Sequence, residues 1–133
     1  MALISFAIRS TSGVPYYVQL IDQVRQAVQF GELRGGDQLP TVREVVAEVA
    51  VNPNTVLRAY RELEHEGLVM MKPGQGTFVT ENRSASLEPR VYGSLRDQLE
   101  AWIEEARRRG VDDETLTALF DHVLRRAATE ASA

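Results

Sequence analysis

The stretch VNPNTVLRAY, residues 51–60, marks the beginning of a helix with two contrasting faces. Asn52 is a good N-cap residue, and Pro53 suits the first helical position, where its missing N–H group would have no intrahelical partner. Stepping about 100° per residue places the apolar side chains on one face and the polar ones on the opposite face. The apolar face holds Val56, Ala59, Tyr60 and Leu63, and the polar face holds Asn54, Arg58, Arg61 and His65. We expect the first face to pack and the second to stay uncovered.

Two helices are predicted before this one. Between Pro15 and Gly31, apolar residues recur at helical spacing, and proline and glycine are typical of a helix start and stop. These apolar residues are Tyr17, Leu20, Ile21, Val24 and Val28. At 41–44, TVRE predicts a capping box, in which Thr41 caps a second, short helix and Glu44 reaches back to it.

A β-hairpin is predicted after the third helix. Two apolar runs, LVMM at 68–71 and TFVT at 77–80, are separated by the turn-forming KPGQG. Three helices followed by a hairpin are the order of a winged helix-turn-helix, so we assign residues 1–80 to such a domain, with its wing at about 68–80. The fold class expected is mainly α with a small β-hairpin.

The rest of the chain predicts a second region. Residues 81–93 are polar and lack a period, which indicates a linker, and residues 94–133 contain two amphipathic helices. Two helices in about 40 residues are too few to form an independent core, so we expect them to form a two-helix hairpin that pairs with a second copy in a homodimer. The apolar residues assigned to dimerisation are Leu95, Leu99, Trp102, Ile103, Leu116, Leu119, Phe120, Val123 and Leu124.

The composition narrows the class of protein. The apolar content of 44% is that of a folded globular chain, and the net charge of -4 counts mildly against a nucleic-acid partner unless the basic groups are gathered on one face. We expect neither a transmembrane helix nor a signal peptide. The absence of cysteine excludes disulfides and thiolate sites and favours the cytoplasm. No catalytic arrangement, cofactor site or metal site is predicted.

The exposed face of the third helix predicts DNA recognition in the major groove. Asn54 can donate to and accept from adenine, and Arg58 can form a bidentate contact with guanine. Arg43 should lie beside the groove, and Arg61 is assigned to a phosphate or to a pair with Glu64. Amides at the helix N-termini near Thr41 and Asn52 are expected to bind phosphates. At the wing tip, glycines permit close approach, and Lys72 or Gln75 supplies the contact.

Residues 13–80 resemble the winged helix-turn-helix of the GntR family of bacterial transcription regulators. The resemblance rests on LPTVREVVAEV (39–49), NPNTVLRAYRELEHEGLV (52–69) and GQGTFV (74–79). VNPNTV and the short two-helix tail are similar to the YtrA-like subfamily. The resemblance implies a dimeric repressor of an operon, often one that encodes a membrane transporter in that subfamily. Whether a small-molecule effector exists, and what it is, the sequence does not tell.

The resemblance also assigns individual residues. The arginine of the family's LP-x-x-R motif falls on Arg43, and the wing glycine falls on Gly74. The polar residues that open the recognition helix fall on Asn52, Asn54 and Thr55. Many family members carry arginines where this chain has Pro53 and Leu57, so those contacts are absent here. Arg58 is our substitute base reader, on geometry alone.

Two alternatives remain open at this point. The chain could be the N-terminal piece of a MocR-type regulator fused to an aminotransferase-like domain, although it ends at Ala133, far short of such a domain. It could also be a winged helix that binds protein, which would require an apolar recognition face. The operator sequence, the regulated genes and any metal bound by the tail are beyond what the sequence tells.

Overall fold

The computed structural model describes residues 4–81 and 85–132. Its elements are α1 (Tyr16–Gln29), α2 (Val42–Val49), α3 (Pro53–His65), β1 (Val69–Lys72), β2 (Gly76–Val79), α4 (Pro89–Arg108) and α5 (Asp113–Ser132). They fall into two units, Met1–Pro89 and Arg90–Ala133. The order of three helices and a hairpin, followed by two helices, confirms the predicted fold class.

Helix α3 is the centre of the first unit. Helices α1 and α2 and strand β1 all pack against it. Its predicted apolar face is buried: Val56, Ala59, Tyr60 and Leu63 are each no more than 1% exposed. The face opposite this one is therefore the side of α3 that remains available to a partner.

The ring of Tyr60 is buried in the core, and its hydroxyl bonds the loop before α2. The hydroxyl donates a 2.6 Å hydrogen bond to the buried Pro40 carbonyl. Desolvation raises the pKa of the Tyr60 hydroxyl above its ordinary value. This hydrogen bond connects α3 to the loop that leads into α2.

The segment before α1 is attached to the first unit by two glutamine side chains. The Gln23 amide accepts from the Ala7 N–H at 2.9 Å and donates to the Ala7 carbonyl at 2.6 Å. One helical turn earlier, the Gln19 side chain accepts from the Arg9 N–H at 2.8 Å and donates to the Arg9 carbonyl at 3.0 Å. Phe6 is 5% exposed in the core, and its amide donates to Glu48 at the end of α2. The start of the chain therefore completes the core, a role that its sequence did not reveal.

The two strands of the hairpin are shifted toward the wing tip relative to the prediction. They pair antiparallel in the register Val69↔Val79, Met70↔Phe78, Met71↔Thr77 and Lys72↔Gly76. Lys72 and Gly76, expected in the turn, are thus the last paired residues. The reason is that a tight turn needs only Pro73, Gly74 and Gln75 to reverse the chain. Gln38 adds an isolated bridge to Phe78 on the far side of β2.

Helix α4 starts inside the segment that was predicted to be a linker. It begins at Pro89 rather than 94. Proline is well suited to a first helical position, and Val91 lies one turn before Leu95. Gly93 obscured this pattern because glycine is a poor helix former. Another residue of the expected linker, Ser86, donates its amide N–H to the Gln29 carbonyl at the end of α1, at 2.7 Å. Residues 82–84 of that segment lie outside the described residues.

The second unit is a helical hairpin with most of its large apolar side chains uncovered. Gly110, with φ +83°, ends α4, and Asp112 caps α5 by accepting from the Thr115 amide at 2.8 Å. Leu116 is 6% exposed and Ile103 is half-buried, so these two stabilise the hairpin itself. The exposed members are Leu95, Leu99, Trp102, Leu119, Phe120, Val123 and Leu124. None of the described helices is long and apolar enough to cross a membrane.

Candidate nucleic-acid interface

Helix α2 and its connection to α3 form the helix-turn-helix. The capping box is confirmed: the Glu44 amide donates to the Thr41 hydroxyl, and the Thr41 amide donates to the Glu44 carboxylate, both at 3.1 Å. These hydrogen bonds lower the pKa of Glu44. The turn after α2 places Ala50 in the left-handed region, with φ 52° and ψ 43°. Val51 follows and is 6% exposed, which anchors the turn in the core.

Ala50→Gly is expected to stabilise the protein. The left-handed conformation costs a residue with a Cβ about 1–2 kcal/mol, whereas the greater freedom of glycine in the unfolded chain costs about 0.5–1 kcal/mol. A net gain of roughly 0.5–1 kcal/mol should raise the midpoint of thermal unfolding, measured by circular dichroism, by a few degrees. Ala47→Gly is the matched control, because Ala47 is exposed inside the same helix and its replacement should cost about 1 kcal/mol. Equal destabilisation by Ala50→Gly and Ala47→Gly would show that the left-handed conformation of Ala50 is not strained.

The N-terminus of α3 is occupied by its own cap. The Asn52 side chain accepts from the Asn54 amide at 2.8 Å, and the Asn52 carbonyl accepts from the Thr55 amide at 2.9 Å. Pro53 has no N–H group. The amides of Asn54 and Thr55 are therefore already bonded within the cap, and phosphate binding at this helix N-terminus stays a prediction. The cap uses the side-chain oxygen of Asn52, whereas its side-chain NH₂ group donates to no described residue.

The uncovered face of α3 and the start of α2 carry cations without acidic partners. Arg43 and Arg61 are exposed, and the side chain of neither forms an ion pair or a hydrogen bond with a residue that the structure describes. The alternative partner suggested for Arg61, Glu64, accepts instead from the Met71 amide at 2.7 Å. Asn54 is exposed and Thr55 is half-buried. This surface keeps its positive charge available for an anionic partner.

Arg58 lies against an aromatic ring instead of a carboxylate. Its guanidinium carbon is 3.8 Å from the centroid of the Tyr17 ring on α1. Glu62 lies one helical turn further along α3, but Arg58 forms no ion pair with it. Tyr17 is half-buried and packs against the core, as predicted, but its contact with Arg58 was missed. Because the two residues are 41 positions apart, only the packing of α1 on α3 could reveal it.

The wing tip is a tight turn through three residues. The Gln75 amide donates to the Lys72 carbonyl at 3.0 Å, and Gly74 has φ +75°. Proline followed by a glycine with positive φ is the signature of a type II turn. The Lys72 ammonium lies 4.9 Å from the Phe78 ring centroid, so it is drawn back along the hairpin. Gly74 and Gln75 are exposed at the tip.

Gln38 and Gly76 stabilise the wing and were not singled out from the sequence. Gly76 has φ +136°, and a Cβ there would lie 2.5 Å from the Gln38 amide nitrogen. That nitrogen donates to the Gln75 carbonyl at 3.3 Å, which connects the tip to the loop before α2. The tripeptide GQG predicted a turn, but only the fold shows that Gly76, and not Gly74, lies beside Gln38.

Gly76→Ala is expected to disturb the wing more than Gly74→Ala. Both positions have positive φ, and such strain costs about 1–3 kcal/mol. Only at Gly76 does the new methyl group also displace Gln38, since a Cβ at Gly74 meets nothing within 4 Å. The free energy of unfolding and the amide hydrogen exchange of β1 and β2 measure the difference. If Gly74→Ala proved the more damaging change, the role assigned to Gln38 would be wrong.

Comparison with known proteins agrees with this geometry. Residues 16–79 match the family model described as bacterial regulatory proteins, gntR family. The HTH-type transcriptional repressor YtrA of Bacillus subtilis (strain 168) is 38% identical over 105 residues, which is 79% of this chain and 81% of YtrA. The chain belongs to the GntR family. As in that family's regulators, its role is transcriptional regulation and not catalysis.

Solved structures are similar to this GntR-family chain over 59% to 91% of its length. YtrA from Sulfolobus acidocaldarius, a GntR-family transcription factor, has a TM-score of 0.53 at 26% identity, over 91% of this chain and 97% of that one. The DNA-binding domain of AraR in complex with operator ORE1 has a TM-score of 0.50 at 26% identity, over 59% of this chain and 95% of that one. The winged helix-turn-helix predicted from the sequence is thus confirmed.

The arginines that close α4 of the GntR-family chain are paired within their own unit. Arg107 contacts Asp113 at 3.0 Å, and Arg108 and Arg109 contact Glu105 at 2.7 and 2.9 Å. Because these three arginines pair with carboxylates of their own unit, their presence does not require a second nucleic-acid-binding surface. Among the described residues, no group of three His, Cys, Asp or Glu side chains is placed to hold a metal ion.

Proposed function

We propose that this GntR-family regulator is a homodimeric repressor that acts in the cytoplasm and binds a palindromic operator. The observation that carries the proposal is the uncovered polar face of α3. Asn54, Arg58 and Arg61 stand on it, and neither arginine is neutralised by a carboxylate within the described part of the chain. A protein-binding winged helix would need an apolar surface there.

The proposed contacts divide by chemistry. Arg58 and Asn54 read guanine and adenine edges in the major groove, because their side chains match those donor and acceptor patterns. Arg43 reaches a base or a phosphate from the start of α2. The remaining proposed contacts are with the sugar–phosphate backbone, through Thr41, Asn52, Thr55, Arg61, Lys72, Gly74 and Gln75. The Thr41 hydroxyl already accepts from Glu44, so it contacts DNA as a donor.

The second unit supports the proposed dimer. Seven large apolar side chains that were assigned to dimerisation are between 36% and 57% exposed in the single chain. Five of them line an open groove of about 230 Å³ between α4 and α5, namely Leu99, Trp102, Leu119, Phe120 and Val123. A contiguous apolar surface of this kind marks an interaction site. A second copy of the hairpin offers the same stripe, which suits a two-fold interface.

Selection of duplexes from a random DNA library with the purified chain tests the proposal. No small molecule is added, so that enrichment reports binding without an effector. A palindromic consensus is expected, with an affinity that falls steeply between two salt concentrations as phosphate contacts release counterions. A scrambled duplex of equal length and composition is the control. Equal binding of consensus and scrambled duplexes, or no enrichment by a folded dimer, would refute the operator-binding role.

A further inference from the structure

The contact between Arg58 and Tyr17 joins the recognition helix to α1. At 3.8 Å from guanidinium carbon to ring centroid, the two groups are in van der Waals contact, well within the range of a cation–π interaction. Tyr17 lies in the first turn of α1 and is packed against the hydrophobic core. Arg58 is exposed. A rigid ring therefore supports a long, flexible side chain at the surface.

A stack on one face of a guanidinium leaves its recognition edge free. The N–H donors of arginine lie in the plane of the group, and they bond partners through the edge of that plane. An aromatic ring that covers the flat face removes rotational freedom without using any donor. An ion pair with Glu62 would do the opposite, because it would use the donors, and that pair is not formed among the described residues.

We propose that Tyr17 is a positioning residue that sets the specificity of DNA recognition by holding the Arg58 guanidinium in a pre-organised orientation. The inference rests on the proposed function, in which Arg58 reads a base. Fixing a side chain before binding improves affinity, because less conformational entropy is lost in the complex. Tyr17 itself touches no base; it acts through Arg58.

The structure offers closely matched variants for a test. Tyr17→Leu keeps an apolar side chain on the core but removes the ring. Tyr17→Phe keeps the ring and removes only the hydroxyl. Tyr16→Leu is the control, because Tyr16 is the adjacent residue of α1, is 41% exposed and takes no part in the stack. Arg58→Ala and the double variant Tyr17→Leu/Arg58→Ala complete a double-mutant cycle.

The dissociation constants of these variants are measured on the selected consensus and on duplexes changed at each base pair. Tyr17→Leu should weaken consensus binding about 5- to 30-fold, since the two Arg58 side chains of the dimer must then be ordered when DNA binds. The loss should concentrate at the base pair that Arg58→Ala also affects. Tyr17→Phe and Tyr16→Leu should stay within about two-fold of the parent protein, because both keep the stack. In the Arg58→Ala background, Tyr17→Leu should have no further effect on discrimination.

The outcomes separate this inference from the function on which it rests. If Arg58→Ala keeps the parent's sequence preference, Arg58 is not a base reader, and the positioning role of Tyr17 falls with that assignment. If Arg58→Ala loses preference but Tyr17→Leu retains it, or binds more tightly, the positioning role alone is refuted. Equal weakening of every duplex by Tyr17→Leu would also refute it, because that is the result of a purely structural role.

A measurement on the unmodified protein covers the case in which Tyr17→Leu does not fold. In the NMR spectrum, protons of the Arg58 side chain above the Tyr17 ring should be shifted upfield by the ring current. The shift should persist when the consensus duplex is bound. Its absence from the free protein, or its loss on binding, would overturn the proposal without any variant.

Discussion

Arg58→Ala is expected to abolish discrimination at one base pair in each half of the operator. A bidentate arginine–guanine pair discriminates against the wrong base by about 1–3 kcal/mol, so a dimer loses roughly twice that amount on its consensus. Binding to unrelated DNA should change little, because phosphate contacts made elsewhere dominate it. The measurement is fluorescence-anisotropy titration of the consensus and of duplexes substituted at each position in turn.

Arg61→Ala is the matched control for this change. Arg61 is the next exposed arginine of α3, it has no partner among the described residues, and we assign it to a phosphate. Its loss should weaken all duplexes by a similar factor and reduce the salt dependence by about one counterion per half-site. Thermal unfolding checks that Arg58→Ala, which also removes the stack on Tyr17, still folds. Unchanged sequence preference in Arg58→Ala would show that another residue reads the operator.

Trp102→Glu is expected to dissociate the proposed dimer while both units stay folded. Trp102 is 36% exposed in the single chain and lines the apolar groove, so in the proposed interface its replacement would bury a carboxylate without a partner. Breaking such an interface costs on the order of 3–5 kcal/mol, which weakens self-association at least a hundred-fold. Sedimentation velocity should then show a monomer at micromolar concentration. Operator affinity should fall with it, since one subunit engages only one half-site.

Ala101→Glu controls for the added charge. Ala101 is exposed on the side of α4 that lies away from the apolar stripe, so this variant should remain dimeric and bind as the parent does. Circular dichroism establishes that the helices of both variants are intact. A full dimer of Trp102→Glu in sedimentation would exclude the α4–α5 stripe as the dimer interface.

Several features could be predicted because their causes lie within a few residues of one another. The Thr41–Glu44 capping box and the Asn52 cap of α3 involve side chains two or three positions from the groups they bond. The buried face of α3 follows from helical spacing alone. The predicted start of α4 was wrong for a local reason as well. Gly93 interrupts the apolar pattern, so the prediction began the helix at 94, whereas the helix begins at Pro89, a residue suited to the first helical position.

In the candidate site too, some features could be predicted from the sequence and others could not. Its exposed polar residues on α3 were predicted from helical periodicity, but their surroundings were not. Arg58 rests on Tyr17 instead of pairing with Glu62, and Glu64 bonds the Met71 amide instead of Arg61. In both cases a group from another element competed successfully with the nearest opposite charge, and periodicity contains no information on that competition.

By itself, the sequence determined where the helices of the winged domain start, which face of α3 is buried and which family the chain belongs to. The helix starts and the buried face depend on interactions across one or two helical turns, and the family is identified by motifs that are contiguous in the sequence. Three contacts became visible only in the folded chain: Arg58 on Tyr17, Gln38 beside Gly76, and residues 6–9 on α1 and α2. Each of these joins residues at least 10 positions apart, up to 42 for Phe6 and Glu48, and chain segments so separated meet only once the core has formed.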